Sequence, residues 1–361
     1  MTRISRSFVR ERYFAITRPT HSDQSGRANK SRAGTVETCT FAAVRVLVAL
    51  MIAACGSSPA VAIDATTDTP SAPFPDAGPC GMRSGMRTLS HRSVHVANLD
   101  RTYLVYLPPG LDPRTPIPLV FMMHGYSMSG QDMYDVTGYA ALADTEHIAV
   151  AFPDGQGGPN TNSPPWNVGS NVCTSFFGPP PSAAGDDNAF LDAMKADISN
   201  DQCLDPQHVY VSGFSMGGYF SHHAGCTRPD IRAIAPHSGG THPLTACANA
   251  HRPVIIFHGT ADNVIPLGCD DPNGPAVQGT TASATAWAAK NGCATTTHTI
   301  NIQNGSCDLY DGCPSDGQVE ICRFNGMGHC WAGGVGTSLF ACGNYESATR
   351  LEWQFFKDHA W

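Results

Sequence analysis

From residue 93 onward, short apolar runs recur along the chain, and most end in glycine or a turn. "SVHVANL" (93–99) and "TYLVYLP" (102–108) alternate apolar and polar positions and predict an antiparallel opening pair. Six later runs are more continuously apolar: "IPLVFMMHG" (117–125), "HIAVAFPDG" (147–155), "HVYVSG" (208–213), "IRAIAPHSG" (231–239), "RPVIIFHGT" (252–260) and "QVEICRFNG" (318–326). Strands of that composition are buried on both faces, which predicts a parallel sheet. Helix-like stretches fall between or after them at 188–200, 216–226, 280–291 and 345–358. The expected fold is α/β, a three-layer sandwich on a mostly parallel central sheet. Two segments break the alternation. Residues 155–187 are rich in Gly, Pro and Asn yet carry Trp166, Phe176 and Phe177, which suggests a wall of a binding cleft. Residues 303–317 hold Cys307 and Cys313 and are expected to be stapled.

The first 79 residues do not share this pattern. "FAAVRVLVALMIAAC" (41–55) lies behind Arg32 and has the length of a signal-peptide apolar region, too short to span a bilayer. Its end, Ile52-Ala53-Ala54-Cys55, resembles a bacterial lipobox, making Cys55 the expected lipidation site. An ordinary signal peptide cut after "PAVA" is the alternative. Residues 55–79 are Pro, Ser, Thr, Ala and Asp without an apolar period, the composition of a flexible tether. The expected organisation is a leader (1–54), a tether (55–79) and one folded domain (80–361). Membrane contact is expected only through the lipid anchor.

Composition narrows the setting. Hydrophobic residues at 42% of the chain suffice for a large core, while charged residues reach only 14%, as is common in exported proteins. Residues 1–54 hold nine of the 22 basic and three of the 30 acidic residues, so the rest carries a net charge of −14. So acidic a domain has no cation excess with which to displace counterions from phosphates, which argues against nucleic acid as a partner. Twelve of the fourteen cysteines lie beyond residue 79, enough for six disulfides in an oxidising compartment. No C-x-x-C pair suggests zinc, and no metal or cofactor is expected.

In open α/β sheets, ligands bind beyond the carboxyl ends of the strands. After the run at 208–213 comes Gly213-Phe214-Ser215-Met216-Gly217, a G-x-S-x-G turn that would lift Ser215 Oγ above the sheet. A nucleophilic serine needs a base and an orienting acid, in the chain order Ser, Asp, His for such an elbow. Asp262 follows the run at 252–260, and His329 follows that at 318–326. Among competing groups, His237 precedes Asp262, Asp154 precedes Ser215, and His222 and His223 lie along the helix after the elbow. The backbone N–H groups of Met216 and of Tyr126, after His124-Gly125, are the expected oxyanion donors. Trp166 and Trp331, with Tyr126, are expected to line a substrate pocket.

Together these residues resemble the secreted α/β-hydrolase esterases that include polyhydroxybutyrate depolymerases, feruloyl esterases and acetylxylan esterases. The resemblance runs from about residue 80 to 361 through "PLVFMMHG", "WNVGSNVC", "GDDNAFL", "VYVSGFSMGG", "PVIIFHGTADNVIP" and "GMGHCWAGG". "PCGM" and "CDLYDGC" are most similar to the feruloyl-esterase branch. The resemblance implies a serine esterase acting on feruloyl or acetylxylan esters of plant polysaccharide, with polyhydroxybutyrate cleavage as the alternative. A non-catalytic ligand-binding lipoprotein on the same fold is the alternative of another class. The chain departs from the family at Trp331-Ala332-Gly333, where Trp-Pro-Gly is common. Cys330 after the histidine is similar to tannase-like feruloyl esterases, but Phe214 stands where those carry the partner cysteine, leaving that partner open.

Overall fold

The computed structural model describes residues 80, 88–156, 165–168, 185–248, 251–268 and 279–360. All lie in the second of the chain's two units, Asp68–Trp361. The leader, Cys55, the whole tether and much of 155–187 lie outside the described residues. Among those described, no helix is long and apolar enough to cross a membrane.

The alternating opening runs form β1 (Thr88–Val96) and β2 (Leu99–Leu107), an antiparallel hairpin. Its turn falls at Ala97-Asn98, both at positive φ, earlier than the apolar pattern implies. The continuous runs become β3 (Ile117–Met123), β4 (Ala149–Pro153), β5 (Leu204–Phe214), β6 (Ala233–His237), β7 (Val254–Gly259) and β10 (Val319–Phe324). They form the parallel centre of a ten-stranded sheet ordered β1-β2-β4-β3-β5-β6-β7-β10-β9-β8. β8 (Thr297–Ile302) and β9 (Gly305–Tyr310) add an antiparallel hairpin at the far edge.

That hairpin takes in the first part of 303–317, the segment that breaks the strand–helix alternation and is expected to be stapled. Its turn is Gln303-Asn304, with Asn304 at φ 56°, a left-handed conformation asparagine tolerates. The staples lead outward: Cys307 bonds Cys322, its cross-strand partner on β10, and Cys313 bonds Cys293. Cys80–Cys203, Cys226–Cys247 and Cys330–Cys342 complete five described disulfides. Cys173 and Cys269 lie outside the described residues.

β3 shows why the sheet must be covered on both sides. Leu119, Phe121 and Met123 enter one hydrophobic cluster while Val120 and Met122 enter the other, the period-two alternation of a strand with no solvent face. α3 (Asp187–Ile198), α4 (Met216–Thr227) and α5 (Thr280–Asn291) cover the first face with Phe190, Phe220 and Trp287. α1 (Gly130–Thr137), α2 (Tyr139–Glu146) and α6 (Ala348–His359) cover the second with Met133, Tyr139 and Phe356. The expected three-layer α/β sandwich is thus observed.

α1 and α2 were not evident from periodicity because each has only eight residues, too few for helices stable on their own. A capping box, Ser129 with Asp132, starts α1 and was the readable signal.

The second face encloses an ionisable group. Glu352 on α6 is fully buried, accepts a hydrogen bond from Ser212 Oγ at 2.7 Å and lies beside the Tyr139 hydroxyl. Burial pushes its carboxyl up to about 8, against the smaller opposing effects of Tyr139 and Ser212. The folded state therefore holds this proton more tightly than the unfolded chain. Its contribution to stability is complete below the ordinary glutamate range and is lost as pH rises towards about 8. Glu352→Gln should remove a slope of about 1.4 kcal/mol per pH unit across that window. Urea midpoints at pH 5.5 and 8 check this: the wild type should lose more stability than the variant on going to pH 8.

Candidate active site

β3 pairs with β4 on one side and with β5 on the other. The connections leaving β3 and β5 therefore diverge at their carboxyl ends and open a crevice there. Ser215, between β5 and α4, sits at that switch point with φ 57° and ψ −116°, a strained conformation for a side-chain-bearing residue. Its N–H donates to His237 O at 2.8 Å, fixing the turn against the end of β6. A Cβ on Gly217 would lie 2.2 Å from Met123 O, so only glycine lets α4 approach β3 this closely. Met216 is the first residue of α4, where a backbone N–H has no intrahelical acceptor.

β7 and β10 are parallel neighbours, so the loops after them leave side by side. Backbone bonds join these loops: Thr260 N–H to Phe324 O at 2.9 Å and Ala261 N–H to Met327 O at 2.9 Å. A Cβ on Gly259 would lie 2.3 Å from Met327 O. This closeness brings Asp262 Oδ2 to 2.7 Å from His329 Nδ1. Asp262 Oδ1 accepts from the N–H groups of Val264 (3.0 Å) and Ile265 (2.9 Å). Burial pushes the Asp262 carboxyl up, but His329, His258 and the Ile265 amide outweigh it and hold the group below the usual aspartate range. It is an acceptor-only anion, which orients His329 Nδ1–H towards it and leaves Nε2 as the proton-accepting nitrogen.

The His329 ring also lies against Phe214, the residue before Ser215, with centroids 4.6 Å apart. The structure thus brings the predicted acid and base together beside the elbow. No direct hydrogen bond joins Ser215 Oγ to the imidazole, a contact that in such sites often tightens only with substrate bound.

Tyr126 is half-buried in the loop after β3, next to Gly125, where a Cβ would lie 3.1 Å from Ser215 Cβ. Its anchor is His124, whose place before Gly125 marks it in the sequence only as part of the turn. His124 is fully buried; its Nδ1 donates to Gly125 O at 2.7 Å and its Nε2 accepts from Gly155 N–H at 2.8 Å. That pairing requires a neutral ring, and burial lowers its pKa to about 4. His237 is a second buried histidine with a positioning task. Its carbonyl holds the Ser215 N–H, and its Nε2 accepts from Ala332 N–H at 3.1 Å. Alternating polar and apolar patterning gives no sign of either task, because both depend on partners distant in sequence.

The competing groups also have structural partners. Asp154 accepts from Gly130 N–H and Thr102 Oγ1, each at 2.8 Å. His222 is buried and accepts from Trp287 Nε1 at 2.9 Å.

The expected tryptophan walls are a correction. Trp166 is completely buried, donates from Nε1 to His124 O at 2.7 Å and packs on Phe220. Trp331, 1% exposed, donates to Thr349 Oγ1 and stacks on His237 at 4.8 Å. A side chain enclosed on all sides with its N–H satisfied has no face to offer a ligand. Both support the loops from beneath.

The esterase family model, described as "Putative esterase", matches residues 95–306. That is more than half of the chain, and the chain belongs to this esterase family. The match includes Ser215 and Asp262 and ends before His329.

Feruloyl esterase B from Piromyces equi is 30% identical over 250 residues, 63% of this chain and 42% of that protein. Feruloyl esterase C from Emericella nidulans is 29% identical over 274 residues, 71% of this chain and 83% of that protein. Poly(3-hydroxyalkanoate) depolymerase C from Paucimonas lemoignei is 32% identical over 141 residues, 37% of this chain and 30% of that protein. The chain therefore spans less than half the length of two of these three relatives. Acetyl xylan esterase from Aspergillus awamori shares the fold, with a TM-score of 0.51 at 16% identity over 67% of this chain and 94% of that one. The fold is that of the α/β hydrolases.

The buried histidines of the fold set an acid limit. Burial lowers His124 to about 4 and His222 to about 3, and also pushes His237 and His258 down. The stability of these neutral rings is complete above the ordinary histidine range and is lost as pH falls through it towards the lowered values. Calorimetric melting should therefore show the fold destabilised between pH 6.5 and 4, with net proton uptake on unfolding. A melting temperature that stays level or rises over that interval would contradict neutral histidines in the fold.

Proposed function

We propose that the chain is an exported serine esterase working through an acyl-enzyme on Ser215. Ser215 Oγ attacks the ester carbonyl carbon while His329 Nε2 takes the hydroxyl proton. The carbonyl π electrons move to oxygen, and the resulting oxyanion accepts hydrogen bonds from the Met216 and Tyr126 N–H groups. As the tetrahedral species collapses, the bond to the alkoxy oxygen breaks and His329 returns the proton to it, releasing the alcohol. Water then repeats the sequence on the acyl-enzyme, giving up a proton to His329 and freeing the acid. Asp262 holds the imidazole in the required tautomer and stabilises its cation. The observation that carries this reading is the 2.7 Å Asp262–His329 hydrogen bond beside a strained elbow serine at the sheet's switch point.

The names of the matched relatives favour feruloyl or acetylxylan esters of plant polysaccharide as substrates. A poly(3-hydroxyalkanoate) ester is the second reading, favoured by the depolymerase match. Ten cysteines paired in five disulfides support an oxidising compartment, reached through the leader with Cys55 as the lipid-bearing residue. No cofactor or metal enters the scheme.

A fluorophosphonate probe should label Ser215 in the oxidised protein and leave Ser215→Ala unlabelled, with the adduct located by peptide mass spectrometry. Asp262→Asn should lower kcat on methyl ferulate by about 10³–10⁴-fold with the melting temperature little changed. Absence of a Ser215 adduct would replace the esterase reading with that of a ligand-binding lipoprotein. Relative rates on methyl ferulate, acetylated xylan and hydroxybutyrate oligomers then rank the substrate classes.

A further inference from the structure

The loop that follows His329 is built more rigidly than a connection requires. Cys330 and Cys342 close it with a disulfide, and the short strands β11 (Trp331–Ala332) and β12 (Ala341–Cys342) pair at its base. Val335 N–H donates to Val136 O at 2.8 Å, tying one arm to the end of α1. A turn closed by Ala341 N–H to Ser338 O at 3.0 Å forms its tip.

This ordered tip carries apolar side chains into solvent. Leu339 is 94% exposed and Val335 48%, two of the four exposed large apolar residues among those described. Single exposed leucines are ordinary. Here, however, the next residue, Phe340, is half-buried with its ring 6.2 Å from Phe214, whose ring in turn lies 4.6 Å from His329. The loop therefore borders the imidazole, following it directly in the chain and reaching it again through Phe340 and Phe214.

The chemistry gives that side a meaning. In the tetrahedral species the oxyanion points to the Met216 and Tyr126 N–H groups, and His329 Nε2 must reach the alkoxy oxygen it protonates. Whatever is attached to that oxygen lies on the histidine side, while the acyl substituent takes the remaining direction. We infer that the disulfide-closed loop 330–342 is the leaving-alcohol lip of the site, with Phe340 and Leu339 selecting esters whose alcohol presents apolar or ring surface. The inference rests on the reading of Ser215 and His329 as nucleophile and base. It deepens that reading by assigning selection of the alcohol half of the ester to one loop.

The test uses the full oxidised chain and two ester pairs. Ethyl acetate and 2-phenylethyl acetate differ only in the alcohol; ethyl acetate and ethyl 3-phenylpropanoate differ only in the acyl group. In Leu339→Ser and Phe340→Ala, the ratio of kcat/KM for 2-phenylethyl acetate to that for ethyl acetate should fall roughly five- to tenfold, the scale of a lost apolar contact. The acyl-pair ratio should hold. Ile300→Ser, an exposed apolar change on β8, should leave both ratios at their wild-type values.

Leu339→Ser decides the matter if Phe340→Ala disturbs packing, since a side chain so exposed supports nothing beneath it. An unchanged alcohol ratio in Leu339→Ser overturns the lip, as does a fall confined to the acyl ratio. A wild-type protein that cleaves none of these esters and takes no fluorophosphonate overturns the esterase reading itself. Labelling of Ser215 with unmoved ratios overturns the lip alone.

Discussion

The close backbone approach of the loops after β7 and β10 is the constraint on which the site depends. Gly259 has no room for a Cβ beside Met327 O, and the bonds from Thr260 and Ala261 hold the two loops edge to edge. Only at that separation do a short aspartate and a histidine 67 residues later meet at 2.7 Å. The carboxylate is then committed: two loop amides occupy one oxygen and the imidazole the other. A charged group so buried and so fully hydrogen-bonded has little freedom to reorient, which is what a fixed histidine tautomer requires.

Buried neutral histidines form the frame around this pair. His124 ties the loop after β3 to the end of β4, and His237 joins the Ser215 turn to β11. His258, beneath Asp262, donates to Ile265 O at 2.8 Å and accepts from Thr280 Oγ1 at 2.6 Å. An imidazole can donate at one nitrogen and accept at the other, so a neutral ring bridges an N–H and a C=O that cannot satisfy each other. Burial keeps the rings neutral and thereby preserves those bridges. Trp166 and Trp331 belong to the same frame: each places an indole N–H on an acceptor below the crevice and fills the space under a loop.

The sheet centre was readable because burial on both faces leaves a continuous apolar imprint, as in β3, β5 and β7. The elbow was readable because its glycines are a steric necessity, and Asp262 and His329 because strand ends in an open sheet are where side chains converge. The eight-residue α1 and α2 were not readable, since tertiary contacts stabilise them more than their own periodicity does. The β8–β9 hairpin was obscured by an exposed edge strand, whose residues lack the apolar signature. The tryptophans misled for a related reason: an aromatic in a glycine-rich segment has the same composition whether it faces a cleft or the core.

The amino-acid order by itself determined a parallel α/β sheet, an elbow serine and the succession Ser215, Asp262, His329, because strand burial and turn sterics are local demands on residue type. Tertiary structure alone decided that Asp262 meets His329 at 2.7 Å, that Cys330 pairs with Cys342, and that Trp166 and Trp331 turn inward. Those outcomes depend on how strands distant in sequence order themselves across the sheet and on which side chains then compete for the same space. A pairwise distance or a buried face is a property of that arrangement, and no single stretch of the chain carries it.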